Sequence, residues 1–216
     1  MNIRAVLFDL DGTLADTAPD LGAALNSLLR ALGQPEKALA DIRPHSSHGA
    51  AALLAFGMGI TPEHPDYPGL RRRYLDEYQA CNGEASVLFD GIPELLEEID
   101  GRNLVWGIVT NKPEALAREL ADALPLPVLP AVLVGGDTCA QAKPSPQPLH
   151  HACAAIGIPA AHCLYIGDAE RDMQAAKNAG MVAVLAEWGY IGADDCIADW
   201  PADYTVRHPA DIVRLL

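Results

Sequence analysis

At 216 residues the chain has the length of one domain, or of one domain carrying an insertion. Half of the residues are hydrophobic, enough to build a core and too many for wholesale disorder. Lys and Arg total 15 against 29 Asp and Glu, a formal net charge of −14, which argues against function through nucleic-acid phosphates or an anionic membrane surface.

The start of the chain, Met1-Asn2-Ile3-Arg4-Ala5-Val6, leads directly into an apolar strand expected over Ala5–Leu10, so no leader segment is expected. After it come helical stretches at Ala18–Leu32, which ends at Gly33, at Gly49–Phe56 and at Pro68–Gln79. No strand signal falls between Thr17 and about Leu88. From Leu88 onward the short runs Leu104–Thr110, Ala131–Val134, Cys163–Ile166 and Met181–Leu185 read as strands buried on both faces. They alternate with helical stretches at Pro93–Ile99, Pro113–Ala123, Pro146–Ile156 and Glu170–Ala179. Such alternation predicts an α/β fold with a doubly wound parallel sheet. The expected organisation is a Rossmann-like core over residues 1–16 and 86–216, with an inserted helical cap over residues 17–85. Hinges are expected near Leu14–Thr17 and Ala85–Phe89.

No run reaches the roughly 18 apolar residues that a membrane span requires. Cys81, Cys139, Cys153, Cys163 and Cys196 are odd in number and scattered, with no C-x-x-C pair. Reduced thiols and a cytoplasmic location are the corresponding expectation.

Ligands of an open parallel sheet bind at the carboxyl ends of its strands. Polar residues gather at those ends here. The first strand runs into Asp9-Leu10-Asp11-Gly12-Thr13, and Leu104–Thr110 runs into Asn111-Lys112. Lys143-Pro144 precedes a helix, and Cys163–Ile166 runs into Gly167-Asp168, with Asp172 one turn further on. Asp, Asn, Gly and Thr favour turns in any case, but their recurrence in order at successive strand ends points to a site.

Asp9-x-Asp11-Gly12-Thr13, Thr110-Asn111, Lys143-Pro144 and Gly167-Asp168-x-x-x-Asp172 resemble the four motifs of the haloacid dehalogenase (HAD) superfamily. The helical insertion stands in the place of that family's first cap type. Asp16-Thr17-Ala18-Pro19-Asp20-Leu21 and Val109-Thr110-Asn111-Lys112-Pro113 are similar to phosphoglycolate phosphatases. The resemblance implies that Asp9 attacks phosphorus and forms an aspartyl-phosphate, splitting one displacement into two easier ones. It implies that Asp11 protonates the leaving alkoxide and then deprotonates the attacking water, which requires a pKa raised in a crowded anionic site. Its cofactor would be Mg²⁺, a hard dication that offsets crowded carboxylates and phosphate. The implied ligands are Asp9, the backbone carbonyl of Asp11, and Asp168, with Asp172 orienting bound water or Lys143. Thr110, Asn111 and Lys143 would hold the phosphoryl oxygens.

The implied activity is Mg²⁺-dependent hydrolysis of a small phosphomonoester, 2-phosphoglycolate in the first place. N-acetylmuramic acid 6-phosphate hydrolysis, a sugar phosphomutase reaction and an inactive binding module of the same fold are the alternatives. The expected partner is a small phosphorylated metabolite, with neither nucleic acid nor membrane, for a monomer or homodimer. In the cap, the polar stretch Arg43-Pro44-His45-Ser46-Ser47-His48-Gly49 is expected to face the core, with Arg43, Ser47 and His48 meeting a substrate carboxylate or hydroxyls. The competing reading has Ser47 or His48 capping the next helix and Arg43 solvated. Arg71-Arg72-Arg73 lies mid-helix and reads as a solvated face.

Overall fold

The computed structural model describes residues 2–216, so the expectation about Met1 lies outside the described residues. The first half of the chain holds β1 (Ala5–Phe8), β2 (Ala15–Asp16), α1 (Ala18–Ala31), α2 (Leu39–Ile42), a 3-10 turn over Arg43–His48, α3 (Gly49–Met58) and α4 (Tyr67–Cys81). Then follow β3 (Val87–Leu88), α5 (Ile92–Gly101), β4 (Val105–Val109), α6 (Glu114–Ala123), β5 (Val132–Val134) and α7 (Gln147–Ile156). The last elements that bear on the site are β6 (Cys163–Gly167), α8 (Glu170–Ala179), β7 (Val182–Ala186) and β8 (Tyr204–Val206).

Six strands form one parallel sheet in the order β5-β4-β1-β6-β7-β8. Side chains alternate across a strand, and both faces are covered. Ala5, Leu7, Cys163, Tyr165, Ala183 and Leu185 belong to the core on one face. Val6, Phe8, Leu164, Ile166 and Val184 belong to the core on the other. This double burial is why the strand sequences are continuously apolar. Register sets the site: Phe8 lies opposite Ile108 on one side and Ile166 on the other, so Asp9, Thr110 and Asp168 emerge together at one sheet edge. β8 and the two-residue strands β2 and β3 were not expected, because two or three residues carry no readable period.

The helices α1–α4 build a hydrophobic cluster of their own. Leu21, Leu25, Leu28 and Leu29 of α1 recur at helical spacing and meet Ile42, Leu53, Leu54, Tyr74 and Tyr78, with Leu116 of α6 joining from the sheet side. No helix among the described residues is long and apolar enough to cross a membrane.

The two chain crossings between sheet and helices pair with each other, Ala15 opposite Leu88 and Asp16 opposite Val87, antiparallel. Asp20, buried in the first turn of α1, ties the crossings together. Its carboxylate accepts hydrogen bonds from the N–H groups of Gly83 (3.0 Å), Ala85 (2.9 Å) and Ser86 (3.0 Å), and from Ser86 Oγ (2.5 Å). Removing one acceptor for several donors leaves them all unsatisfied. Asp20→Ala is therefore expected to cost about 2–4 kcal/mol and to lower Tm by roughly 5–15 °C in a thermal melt. A shift below about 2 °C would show that the crossings are held by other contacts.

Candidate active site

Asp9 follows the last residue of β1 and is 2% exposed. Its Oδ1 accepts the Leu10 N–H at 2.7 Å and lies 3.0 Å from Lys143 Nζ. Its Oδ2 lies 3.9 Å from the Arg171 guanidinium. Burial by itself would raise this carboxyl, but Lys143, Arg171 and the Leu10 N–H together hold it below the ordinary aspartate value.

The Lys143 ammonium is fully buried and donates to the Val109 carbonyl (3.1 Å) and to the Tyr165 hydroxyl (2.7 Å). It also lies 2.7 Å from Asp172 Oδ1, an ion pair whose angle falls outside that of a hydrogen bond. The Lys143 backbone is clamped by Asn111, whose Oδ1 accepts the Lys143 N–H at 3.0 Å and whose Nδ2 donates to the Lys143 carbonyl at 2.9 Å. The Asn111 amide, expected at the phosphoryl oxygens, is thus engaged in positioning Lys143. Thr110 lines the cavity above Asp9, and its hydroxyl also accepts the Lys112 N–H at 3.2 Å.

Asp168 sits differently. Its Oδ2 accepts Ser47 Oγ (2.5 Å) and the Tyr190 N–H (2.8 Å), and Thr13 Oγ1 approaches Oδ1 at 3.5 Å. No cation lies within 4 Å of it among the described residues. Burial first, then repulsion from Asp172 and Asp9, pushes its carboxyl up to about 7. Asp172 caps α8 by accepting the Ala169 N–H at 3.1 Å through Oδ2, and burial raises its carboxyl in spite of Lys143. The helix-start role and the Lys143 contact therefore coexist in one side chain.

Asp9, Asp168 and Asp172 each offer a carboxylate oxygen, and these oxygens lie within 4.8 Å of one another. Three buried carboxylates with the two cations Lys143 and Arg171 leave an anionic excess that falls on Asp168. A hard, oxygen-binding cation fits that donor set. Gly12 keeps the approach open: with φ +81°, a Cβ there would stand 2.1 Å from Asp168 Oδ2.

The anionic crowding expected around Asp11 belongs to Asp168 instead. The Asp11 side chain turns out of the cluster, and its Oδ1 takes both the Lys112 ammonium (2.7 Å) and the Thr17 hydroxyl (2.7 Å). Lys112 is buried beneath the Tyr78 ring, 4.5 Å from its centroid.

Of the three cap residues singled out from sequence, Ser47 and His48 line the cavity and Arg43 does not. Ser47 reaches Asp168, as above. His48 Nδ1 lies 3.1 Å from Arg171, which also donates to the Ser47 carbonyl at 2.6 Å. Burial, and then Arg171, lower the proton affinity of His48. Arg43 makes a two-pronged ion pair with Asp16 (2.8 and 3.0 Å) and lies over the Tyr190 ring. Tyr190 in turn donates to Asp16 and receives the N–H groups of Thr17 and Ala18.

These groups surround a cavity of about 430 Å³ between the sheet edge and the helices. Asp9, Asp11, Thr110, Lys112 and Arg171 line it from below, and Ser47, His48 and one face of α4 from above. Sequence reasoning gave no role in the site to Lys112, Arg171 or Tyr190. The first two were visible as cations inside acidic motifs, beside Thr110-Asn111 and just before Asp172. Tyr190 lies 22 residues beyond the Asp168 it contacts, outside the four motifs.

Residues 6–186 match the family model described as haloacid dehalogenase-like hydrolase. A phosphoglycolate phosphatase from Xanthomonas campestris pv. campestris (strain 8004) is 45% identical over 212 residues, covering 97% of this chain and 94% of that one. An N-acetylmuramic acid 6-phosphate phosphatase from Pseudomonas aeruginosa is 39% identical over 216 residues, covering 100% of this chain and 96% of that one. Among solved structures, a protein of Haemophilus somnus 129PT described as a predicted phosphoglycolate phosphatase superposes with a TM-score of 0.86 at 25% identity, covering 100% of this chain and 98% of that one.

Proposed function

The chain belongs to the haloacid dehalogenase-like hydrolase family, and on that footing we propose that it is a phosphomonoesterase acting through Asp9. One observation supports the reading: a buried carboxylate, its proton affinity lowered by Lys143 and Arg171, lines a cavity with one oxygen pinned by the Leu10 N–H and Lys143 and the other 3.9 Å from Arg171, which lines the same cavity. Oδ2 attacks phosphorus as the ester P–O bond breaks, and the leaving alkoxide takes a proton from Asp11. Water then attacks the aspartyl-phosphate, gives its proton to Asp11, and releases phosphate and the Asp9 carboxylate. Lys112 and Thr17 hold Asp11 by Oδ1, which leaves Oδ2 for these transfers. Lys143, Arg171 and the Thr110 hydroxyl meet the charge that develops on the phosphoryl oxygens. The helices of residues 17–85 act as a cap that shields the reaction from bulk water.

Mg²⁺ would be held by Asp9, Asp168 and the backbone carbonyl of Asp11, with Asp172 beside them. When bound, it offsets the clustered negative charge and polarises the phosphoryl group. The substrate is a small phosphorylated metabolite carrying a carboxylate, the feature common to phosphoglycolate and N-acetylmuramic acid 6-phosphate, for which the similar enzymes are named. Five unpaired cysteines support a cytoplasmic setting.

Phosphate release from p-nitrophenyl phosphate tests the reading. Activity is expected to vanish in EDTA and return with Mg²⁺. Ca²⁺ is not expected to restore it, because it takes more ligands at longer distances and would misplace the nucleophile. Full activity in EDTA would overturn the metal assignment.

A further inference from the structure

On α4 the residues Tyr67, Arg71, Tyr74, Leu75 and Tyr78 line the cavity, whereas Arg72 and Arg73 do not. This spacing is that of one helical face, so the three consecutive arginines are not equivalent. All three are exposed, in keeping with the solvated face expected from sequence, but Arg71 also borders the cavity, beside an aromatic wall. Tyr74 and Tyr78 in that wall are each 1% exposed. Arg71 itself stands at the solvent-open mouth of the cavity, while Asp9 lies buried at its floor.

The other cations of the cavity are occupied: Lys112 pairs with Asp11, and Arg171 faces Asp9. Arg43, off the cavity, pairs with Asp16. Arg71 makes no ion pair among the described residues. In a chain with 29 acidic side chains, an arginine that faces the site and pairs with none of them is available to an anion that enters. The guanidinium fork matches a carboxylate in particular. The phosphoryl group is already provided for at the floor, so Arg71 meets a second anionic group of the same substrate. A cavity of about 430 Å³ is in the range that encloses ligands of sugar size, and a two-carbon ester would fill only its floor.

We propose that Arg71 is the specificity residue that binds the substrate's carboxylate, and that the cavity takes a sugar-sized phosphomonoester. This rests on the phosphomonoesterase reading above.

N-acetylmuramic acid 6-phosphate and N-acetylglucosamine 6-phosphate differ by the lactyl ether that carries the carboxylate, so their kcat/KM ratio isolates its recognition. The native enzyme is expected to prefer the carboxylate-bearing sugar. Arg71→Ala is expected to reduce that preference by roughly ten- to a hundredfold, mainly through KM, because the contact acts on ground state and transition state alike. Arg71→Lys should recover part of the loss, and Arg72→Ala should leave the ratio as it is. An undiminished ratio in Arg71→Ala would overturn the proposal, as would a native enzyme that hydrolyses p-nitrophenyl phosphate but not N-acetylmuramic acid 6-phosphate. A native enzyme inactive toward p-nitrophenyl phosphate with Mg²⁺ present would instead overturn the phosphomonoesterase reading beneath it.

Discussion

Asp9→Asn is expected to fold and to lose at least about a thousandfold in kcat, on every phosphomonoester including those with good leaving groups. An amide of nearly the same shape has no anionic oxygen to attack phosphorus. Its oxygen can still accept the Leu10 N–H that now reaches Asp9 at 2.7 Å. Lys143 keeps Asp172, the Val109 carbonyl and the Tyr165 hydroxyl as partners, so its position does not depend on the Asp9 charge. The melting temperature should therefore stay within a few degrees of the native value. The check is phosphate release together with a thermal melt. Turnover above a few per cent of native in a folded variant would remove Asp9 from the nucleophile's role.

Asp168→Asn is expected to move activity and metal-free stability in opposite directions. The native Asp168 carboxyl is pushed from 3.8 to about 7 by burial and by Asp172 and Asp9. Between these values the folded chain binds a proton that the unfolded chain has released. Stability in EDTA should consequently fall as pH rises from about 4 to 7, by up to a few kcal/mol, and level off above that. An asparagine has no such titration. Its carbonyl can accept Ser47 Oγ and the Tyr190 N–H where Oδ2 does now, and its amide can donate to Thr13 Oγ1. The two melting curves should meet near pH 4 and diverge toward pH 8 with the variant higher. Mg²⁺ should raise the native Tm and leave that of the variant unmoved, and phosphate release by the variant should drop by a hundredfold or more, on the order of magnitude seen when a metal site is broken. A native protein more stable than the variant in EDTA at pH 8 would show that Asp168 is not the strained member of the cluster.

Much of the architecture is written in the order of the residues alone. β1, β4, β6 and β7 are buried on both faces, so their apolar runs are continuous, and β1, β4 and β6 end where a polar motif begins. The gathering of polar side chains at those ends was legible for the same reason: Asp9, Thr110 and Asp168 need only follow strands that lie in parallel register. The ribbon β2–β3 and the strand β8 were not legible, since their few residues are paired by contacts from distant parts of the chain.

Residue type and order therefore determined the sheet, the helical insertion and the carboxylate set, because these depend on local period and on strand ends. Tertiary structure alone decided how each charge is answered. It turned Asp11 toward Lys112, 101 residues away, and left Asp168 to hydroxyls and a backbone N–H. It also closed Arg43 onto Asp16 and placed Arg71 at the mouth of the cavity while its two neighbours lie off it. A side chain's charge is written in its codon, but its partner is set by packing across the cavity, where residues far apart in the chain come within a few ångströms and the low dielectric makes each pairing count.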